Sequence, residues 1–194
     1  PKRYMNSLIV TLCSMALTIV MATFASYGFS RFKMRNRDDV MFFILSTRML
    51  PPVVVLIPIF LMFRSLGLSD SHLGLILLYT SFNLSFAIWV LKGFIDEIPI
   101  EYEEAAMVDG YTRFQTFWKI VVPQAMTGIA ATAVFCFIFA WNEYAFAFVL
   151  TKNVAQTVPA WLPYQMGILG YDWGAAAAGS VLFILPPLIF TIIL

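Results

Sequence analysis

The sequence predicts an all-α membrane protein whose single domain, residues 1–194, is a polytopic bundle of transmembrane helices. Three observations lead to this class. Hydrophobic residues make up 61% of the chain and charged residues only 12%, whereas an average soluble domain carries about 25% charged residues. Five apolar segments reach the roughly 20 residues that a helix needs to cross a bilayer. Most of the remaining charge lies in the connections between those segments.

The five predicted spans cover residues 8–29, 40–63, 73–91, 121–150 and 175–194. The second contains Arg48 and three prolines, which should kink or break its helix. The fourth is longer than a bilayer requires, so we expect it to be tilted. The fifth begins with small residues at 175–179, which permit close contact with another helix.

The basic residues predict which connections face the cytoplasm. Four of them follow the first span: Arg31, Lys33, Arg35 and Arg37. By the positive-inside rule, residues 30–39 are therefore cytoplasmic. Alternation of the spans then places residues 92–119 in the cytoplasm and residues 152–174 outside. The count of basic residues is not decisive alone, because four of them lie in segments that this orientation places outside: Lys2, Arg3, Arg64 and Lys152.

The densest run of charge, residues 101–123, predicts two short helices joined at Gly110. Three acidic residues suit the positive N-terminal end of the first helix dipole: Glu101, Glu103 and Glu104. Pro99 suits its first turn, and Gly110 is expected to end it with a positive φ. Thr112 and Gln115 match the capping box that begins a second helix.

The first of these helices is expected to present a face with small side chains. That face repeats at i, i+3, i+4 and i+7, and it consists of Tyr102, Ala105, Ala106 and Asp109. Another backbone can approach such a face closely. An ordinary interhelical loop with a solvated acidic side explains the same residues about equally well on physical grounds.

The spacing in this stretch resembles the EAA loop of ABC importer permeases. That family pattern is Glu-Ala-Ala, three residues, Gly, nine residues, Ile, any residue, Leu and Pro. This chain has Glu104-Ala105-Ala106, Gly110 and Ile120 to Pro123, with Val122 in place of the leucine. Flanking segments are similar to the carbohydrate permeases of the maltose-type group: Met49 to Pro52, Leu66-Gly67-Leu68, Trp89, Ile98-Pro99, Val108-Asp109-Gly110 and Trp141-Asn142-Glu143.

The resemblance implies a type I ABC importer permease fold and a role as the permease subunit of an ATP-driven, binding-protein-dependent importer for a carbohydrate. The location would be the bacterial inner membrane. The chain would pair with a second, similar permease, and the loop at residues 96–119 would dock on one subunit of an ATPase dimer. A periplasmic or extracellular sugar-binding protein would touch the outer connection around residues 161–173. The family usually has a further helix before this region and a short basic tail after it; neither is in this sequence, and we expect an N-terminal part to precede Pro1.

The resemblance also implies a set of ATPase-coupling residues: Glu103, Glu104, Ala105, Ala106, Asp109, Gly110 and Pro123. We expect Glu103 and Glu104 to be exposed and to pair with basic residues of the ATPase. No G-x-x-x-x-G-K-[ST] motif occurs in the sequence, so ATP and Mg²⁺ are expected on the partner and no cofactor in this chain. The only histidine, His72, is expected in a solvated loop; one histidine supports neither a metal site nor a catalytic base.

Polar residues within the spans are candidates for the substrate path: Asn83, Trp141, Asn142 and Glu143. Such groups usually face the bundle interior or water. Asn142 and Glu143 can hydrogen-bond sugar hydroxyls, and Trp141 can stack on a sugar ring. Contacts between helices or an outer gate explain these residues equally. The alternative function is an ion-coupled secondary transporter of a small polar solute, with Glu143 as the coupling carboxylate.

Overall fold

The computed structural model describes residues 2–167 and 173–193, and the all-α class is confirmed. A 3-10 turn at Thr47–Met49 and a π-helical segment at Phe117–Val121 lie between the α-helices. The α-helices within the described ranges are α1 (Lys2–Arg31), α2 (Arg37–Ser46), α3 (Pro52–Ser65), α4 (His72–Asp96), α5 (Glu101–Val108), α6 (Arg113–Thr116), α7 (Val122–Gln124), α8 (Met126–Trp141), α9 (Ala145–Leu150), α10 (Val158–Gly167) and α11 (Trp173–Ile193).

The first and third predicted spans are single helices. In the described part of the chain, α1 and α4 are long and apolar enough to cross a membrane. Up to four spans result if each of two sharply bent helix pairs is counted as one. The stretch Ala177–Ile193 of α11 is apolar but shorter.

The second predicted span is broken, as its prolines indicate. The helices on either side of residues 50 and 51 meet at 90°. Leu50 and Pro51 are extended, with ψ of 122° and 127°, because the residue before a proline is pushed out of the helical region. Pro52 then starts α3, where its missing N–H costs nothing.

The fourth predicted span is not one tilted helix. Helix α8 ends at Trp141, and a separate helix, α9, begins at Ala145. At the other end, the helical segments before and after Ala125 are bent by 72°. At the break between α8 and α9, Glu143 accepts hydrogen bonds from two N–H groups at the start of α9, which have no acceptor within that helix. Asn142 Nδ2 donates to Ile138 O at 2.8 Å. The excess length is therefore absorbed by breaks.

The core of the bundle is the packing of α1 along α4, with α8 against both. Most of the buried residues of α1 are small, among them Ser7, Thr11, Ser14, Thr18, Ala22 and Ser26. Small side chains let helix backbones approach closely, and Ser26 Oγ donates to Ile88 O at 2.9 Å. The close helix contact expected at the small residues 175–179 is not made at Gly179 within this chain, because an added Cβ there would meet no atom within 4 Å.

Candidate coupling loop and membrane cavity

The loop at residues 96–119 has the local structure that its turn residues predict. Gly110 has φ of +89°. Its N–H donates to Met107 O, and Tyr111 N–H donates to Ala106 O, both at 3.1 Å. These two bonds form a Schellman motif that ends α5. Helix α5 begins at Glu101, however, so Pro99 precedes the helix and does not lie in its first turn.

The capping box at the start of α6 is confirmed. Gln115 N–H donates to Thr112 Oγ1 at 3.3 Å, and Thr112 N–H donates to Gln115 Oε1 at 2.8 Å. The turn between the two short helices is therefore hydrogen-bonded at both ends, by backbone groups at the end of α5 and by the capping box at the start of α6. Pro123 lies further along the chain, in α7, and is exposed.

Helix α5 has an anchored side and a free side. Glu103 and Ala106 are only 2% and 6% exposed, because positions three apart lie on one side of a helix. The exposed side contains three of the predicted coupling residues: Glu104 and Ala105 in α5, and Asp109 at its C-cap. Tyr102 is exposed as well. The prediction that Ala106 shares this exposed face is wrong.

The prediction that Glu103 is exposed is also wrong. Arg31 Nε donates to Glu103 Oε1 in an ion pair, and the Tyr27 hydroxyl donates to Oε2 at 2.8 Å. The same guanidinium uses Nη2 to donate to Ile98 O at 2.7 Å and Ile95 O at 3.1 Å. Glu103 therefore pairs within the chain, because a buried carboxylate needs partners that water no longer supplies.

An aromatic layer supports this ion pair from the membrane side. The rings of Tyr27 and Phe117 have centroids 4.8 Å apart, and Phe24 stacks on Phe117 at 5.1 Å. Phe117 begins the π-helical segment and is 2% exposed. The second half of the loop is thus packed against the end of α1.

A cavity of about 260 Å³ lies between the broken second span and helices α4, α8 and α9. It brings together two of the predicted substrate-path residues, Asn83 and Glu143, with Arg48 and Tyr79. The remaining walls are largely aromatic and apolar, and they include Leu50, Pro52, Phe82, Phe139, Ala140 and Phe146.

The two charged groups of the cavity have separate partners. Glu143 accepts hydrogen bonds from the Tyr79 hydroxyl at 2.7 Å and from the N–H groups of Phe146 and Ala147 at 2.9 and 3.1 Å. It therefore holds the N-terminal end of α9, where a negative charge is favoured. The Arg48 guanidinium donates to Phe82 O at 3.0 Å and lies 4.4 Å from the centroid of the Phe139 ring.

The other two candidates, Trp141 and Asn142, lie away from this cavity. Trp141 is 1% exposed. Its indole N–H donates to Phe183 O at 3.0 Å, and its ring stacks on Phe137 and Phe183. Both ring faces are occupied, so Trp141 has none free for a sugar. Asn142 instead lines a cavity of about 400 Å³ beside α11.

Asp70 is a structural residue that the sequence did not reveal. Its carboxylate accepts hydrogen bonds at 3.0–3.1 Å from four consecutive backbone N–H groups: Lys152, Asn153, Val154 and Ala155. Burial alone would raise the pKa of Asp70, but these donors outweigh it and lower the pKa below its ordinary value. Asp70 thus ties the turn after α3 to the connection after α9.

A second polar group holds the same connection to α1. Asn6 Nδ2 donates to Val154 O at 2.8 Å and to Gln156 O at 3.0 Å, and Asn6 Oδ1 lies 2.9 Å from His72 Nε2. His72 is therefore part of a network and only half-buried, not simply a solvated loop residue. A lone Asp and a lone Asn carry no spacing signal, which is why sequence reasoning missed both.

These features define a membrane transport subunit: a helical bundle with a structured loop between its third and fourth spans. Residues 14–194 match the protein family described as binding-protein-dependent transport system inner membrane component. The chain belongs to this family. It is the inner-membrane permease component of an ABC importer, a transport subunit and not an enzyme.

Similar proteins agree with this assignment. A putative ABC transporter permease protein of Streptomyces antibioticus is 40% identical over 96% of this chain and 82% of its own length. The diacetylchitobiose uptake system permease protein DasC of Streptomyces coelicolor is 37% identical over 97% of this chain and 69% of its own. A chain from the crystal structure of a bacterial ABC transporter involved in the import of the acidic polysaccharide alginate has a TM-score of 0.78 and 25% identity, and the match covers 99% of this chain and 72% of that one. The type I ABC importer permease fold is thereby confirmed.

Proposed function

We propose that this chain is the permease through which an ABC importer carries a carbohydrate, and that the exposed side of α5 docks on an ATPase subunit. The division of α5 into an anchored and a free side carries the docking proposal. The carbohydrate is supported by the names of similar proteins, which describe diacetylchitobiose uptake and alginate import.

The docking face consists of Tyr102, Glu104, Ala105 and Asp109, which are all exposed. The small side chain of Ala105 allows a partner surface to approach the helix, and Glu104 offers a carboxylate for a basic residue of the ATPase. Gly110 sets where this face ends, through its Schellman turn. In this proposal residues 30–39 and 92–119 are cytoplasmic.

The complete importer would contain further subunits. A second, similar permease would share the translocation path, and an ATPase dimer would hold ATP and Mg²⁺. A sugar-binding protein would approach the outer connection around residues 161–173, of which residues 168–172 lie outside the described ranges. Asp70 and Asn6 support this role, because they hold the beginning of that connection in one position.

The cavity with Asn83 and Glu143 is the proposed part of the sugar path in this chain. Amide and carboxylate oxygens can accept sugar hydroxyls, and the Phe82, Phe139 and Phe146 side chains can contact apolar sugar faces. Its volume, about 260 Å³, is slightly below the roughly 300–1,000 Å³ of ligand pockets. The path would therefore widen in another state of an alternating-access cycle.

The ion-coupled alternative has little support in the structure. A coupling carboxylate must exchange its partner during transport. Glu143 already accepts three hydrogen bonds, two of them from the end of α9. This arrangement suits a carboxylate that holds a helix in place.

Replacing Ala105 with tryptophan tests the docking face. Ala105 is exposed, so the variant should insert into the membrane normally but lose the ATPase on purification in mild detergent. Ala105→Ser, which adds one oxygen, is the matched control and should retain it. An Ala105→Trp complex that keeps a stoichiometric ATPase would contradict the docking face.

Uptake by the reconstituted complex tests the cargo. Labelled disaccharides, polyols and sugar acids should be imported in an ATP-dependent manner, and labelled amino acids should not. Import of amino acids alone would contradict the carbohydrate assignment and leave the docking result unaffected.

A further inference from the structure

We propose that Arg31 and Glu103 form the connection through which movement of α5 is passed to the membrane helices. We call this connection the Arg31 junction; it consists of Tyr27, Arg31, Glu103 and the carbonyl groups of Ile95 and Ile98. Glu103 is thereby a positioning residue and not a docking residue. The inference rests on the proposed docking of α5 on an ATPase.

The Arg31 junction joins three helical elements through one guanidinium group. Arg31 is the last residue of α1, and its side chain is 7% exposed. It holds α5 through Glu103, the C-terminal end of α4 through Ile95 O, and the connection after α4 through Ile98 O. Tyr27, one turn earlier in α1, donates to the second oxygen of Glu103.

Side chains, more than backbone packing, connect α5 to α1. The backbone of α5 lies mainly against α6 and the π-helical segment. Among the described residues, the hydrogen bonds between α5 and α1 both end on Glu103. A displacement of α5 that is not followed by α1 and α4 must therefore break the junction.

Breaking the junction is strongly disfavoured, which makes it suitable for passing on a movement. Separation would leave the buried Glu103 carboxylate without its Arg31 and Tyr27 partners and the Arg31 guanidinium without its counter-charge, and uncompensated buried charges are costly. The docking face of α5 points away from Glu103. A partner that moves the exposed side of α5 therefore moves the ends of α1 and α4 with it.

The test measures transported solute per ATP hydrolysed. The complete complex, with partner permease, ATPase and binding protein, is reconstituted in liposomes with wild-type chain, Glu103→Gln or Tyr27→Phe. For Glu103→Gln we expect the ATPase to remain bound and active, while solute imported per ATP falls by roughly 5- to 150-fold, the usual range for coupling between two sites. Tyr27→Phe should show a smaller fall, because Arg31 still holds Glu103.

The matched control is Asp39→Asn, which makes the same change of charge in an exposed residue of α2. It should leave the solute per ATP unchanged. Tyr27→Phe keeps the ring that packs on Phe117, so it decides the question if Glu103→Gln does not accumulate.

Two results would overturn the proposal. One is that Glu103→Gln imports as much solute per ATP hydrolysed as the wild type. If Glu103→Gln does not accumulate, the same result in Tyr27→Phe overturns the proposal. The other is loss of the bound ATPase in Glu103→Gln, which would make Glu103 part of the docking contact. A wild-type chain that purifies without any ATPase refutes the proposed docking itself and this role with it.

Discussion

Replacing Gly110 with valine should uncouple the loop without preventing membrane insertion. Gly110 has φ of +89°, and an added Cβ would meet no atom within 4 Å. The cost is therefore one of backbone conformation and not of space. A left-handed conformation costs an L-residue about 1–2 kcal/mol, and a β-branched residue is a greater outlier.

This cost is enough to open the turn in a large part of the population. A change of about 1–2 kcal/mol shifts a two-state equilibrium by roughly 5- to 30-fold. Opening breaks the bonds from Gly110 and Tyr111 to α5 and moves the docking face relative to α6. We expect sugar uptake and ATPase retention to fall by a comparable factor, and Gly110→Asn to have a smaller effect because Asn tolerates positive φ.

The chain contains a matched control for this substitution. Gly67 ends α3 with φ of +68° and open space around its Cβ position. It has the same pair of hydrogen bonds: Gly67 N–H to Arg64 O at 3.2 Å and Leu68 N–H to Phe63 O at 2.9 Å. Gly67→Val therefore introduces similar strain before the start of α4, whereas α5 follows its end, and it should leave ATPase retention unchanged.

The assay compares uptake and bound ATPase at equal amounts of inserted protein. Wild-type uptake by Gly110→Val would refute the reasoning. Equal loss of ATPase in Gly67→Val would also refute it, since the effect would then reflect general destabilisation and not the position of α5.

Two further predictions concern stability, measured as the melting temperature in detergent. Gly128→Ala should lower it, because the new Cβ would lie 2.3–2.7 Å from Phe94 atoms and overpacking costs about 1–3 kcal/mol; Gly93→Ala, with open space, is the control, and equal melting of the two variants would contradict the prediction. The lowered pKa of Asp70 means that its contribution is present above the ordinary carboxyl value of about 3.9 and is lost as the pH falls through the lower folded value. Asp70→Asn should melt lower at neutral pH and lack that acid-dependent loss; unchanged melting at neutral pH would count against the role of Asp70.

Local rules were sufficient to predict the turns of the coupling loop. Gly110 as a helix end and the Thr112–Gln115 capping box are both confirmed. Each depends on hydrogen bonds between residues at most five positions apart, so the sequence contains all the atoms involved. The break before Pro52 is predictable for the same reason, because a proline restricts the residue directly before it.

Only tertiary contacts distinguish the roles of neighbouring residues that the sequence alone presents as equivalent. Glu103 and Glu104 are adjacent and chemically identical, but a rotation of about 100° per residue turns Glu103 towards Arg31, which is 72 positions away in the sequence. Trp141, Asn142 and Glu143 diverge in the same way at the end of α8. Trp141 donates to Phe183 O of α11 and Glu143 accepts from Tyr79 of α4, whereas Asn142 donates to Ile138 O in its own helix.

The sequence by itself thus determined the class of the protein, the approximate membrane segments and the turns of the coupling loop. Hydrophobic composition and short-range hydrogen bonds require no knowledge of distant residues. The tertiary structure decided which side of α5 is anchored and which polar residues meet in the cavity. Each of these depends on which distant side chain or backbone group satisfies a buried polar atom, and that is established only when the helices pack.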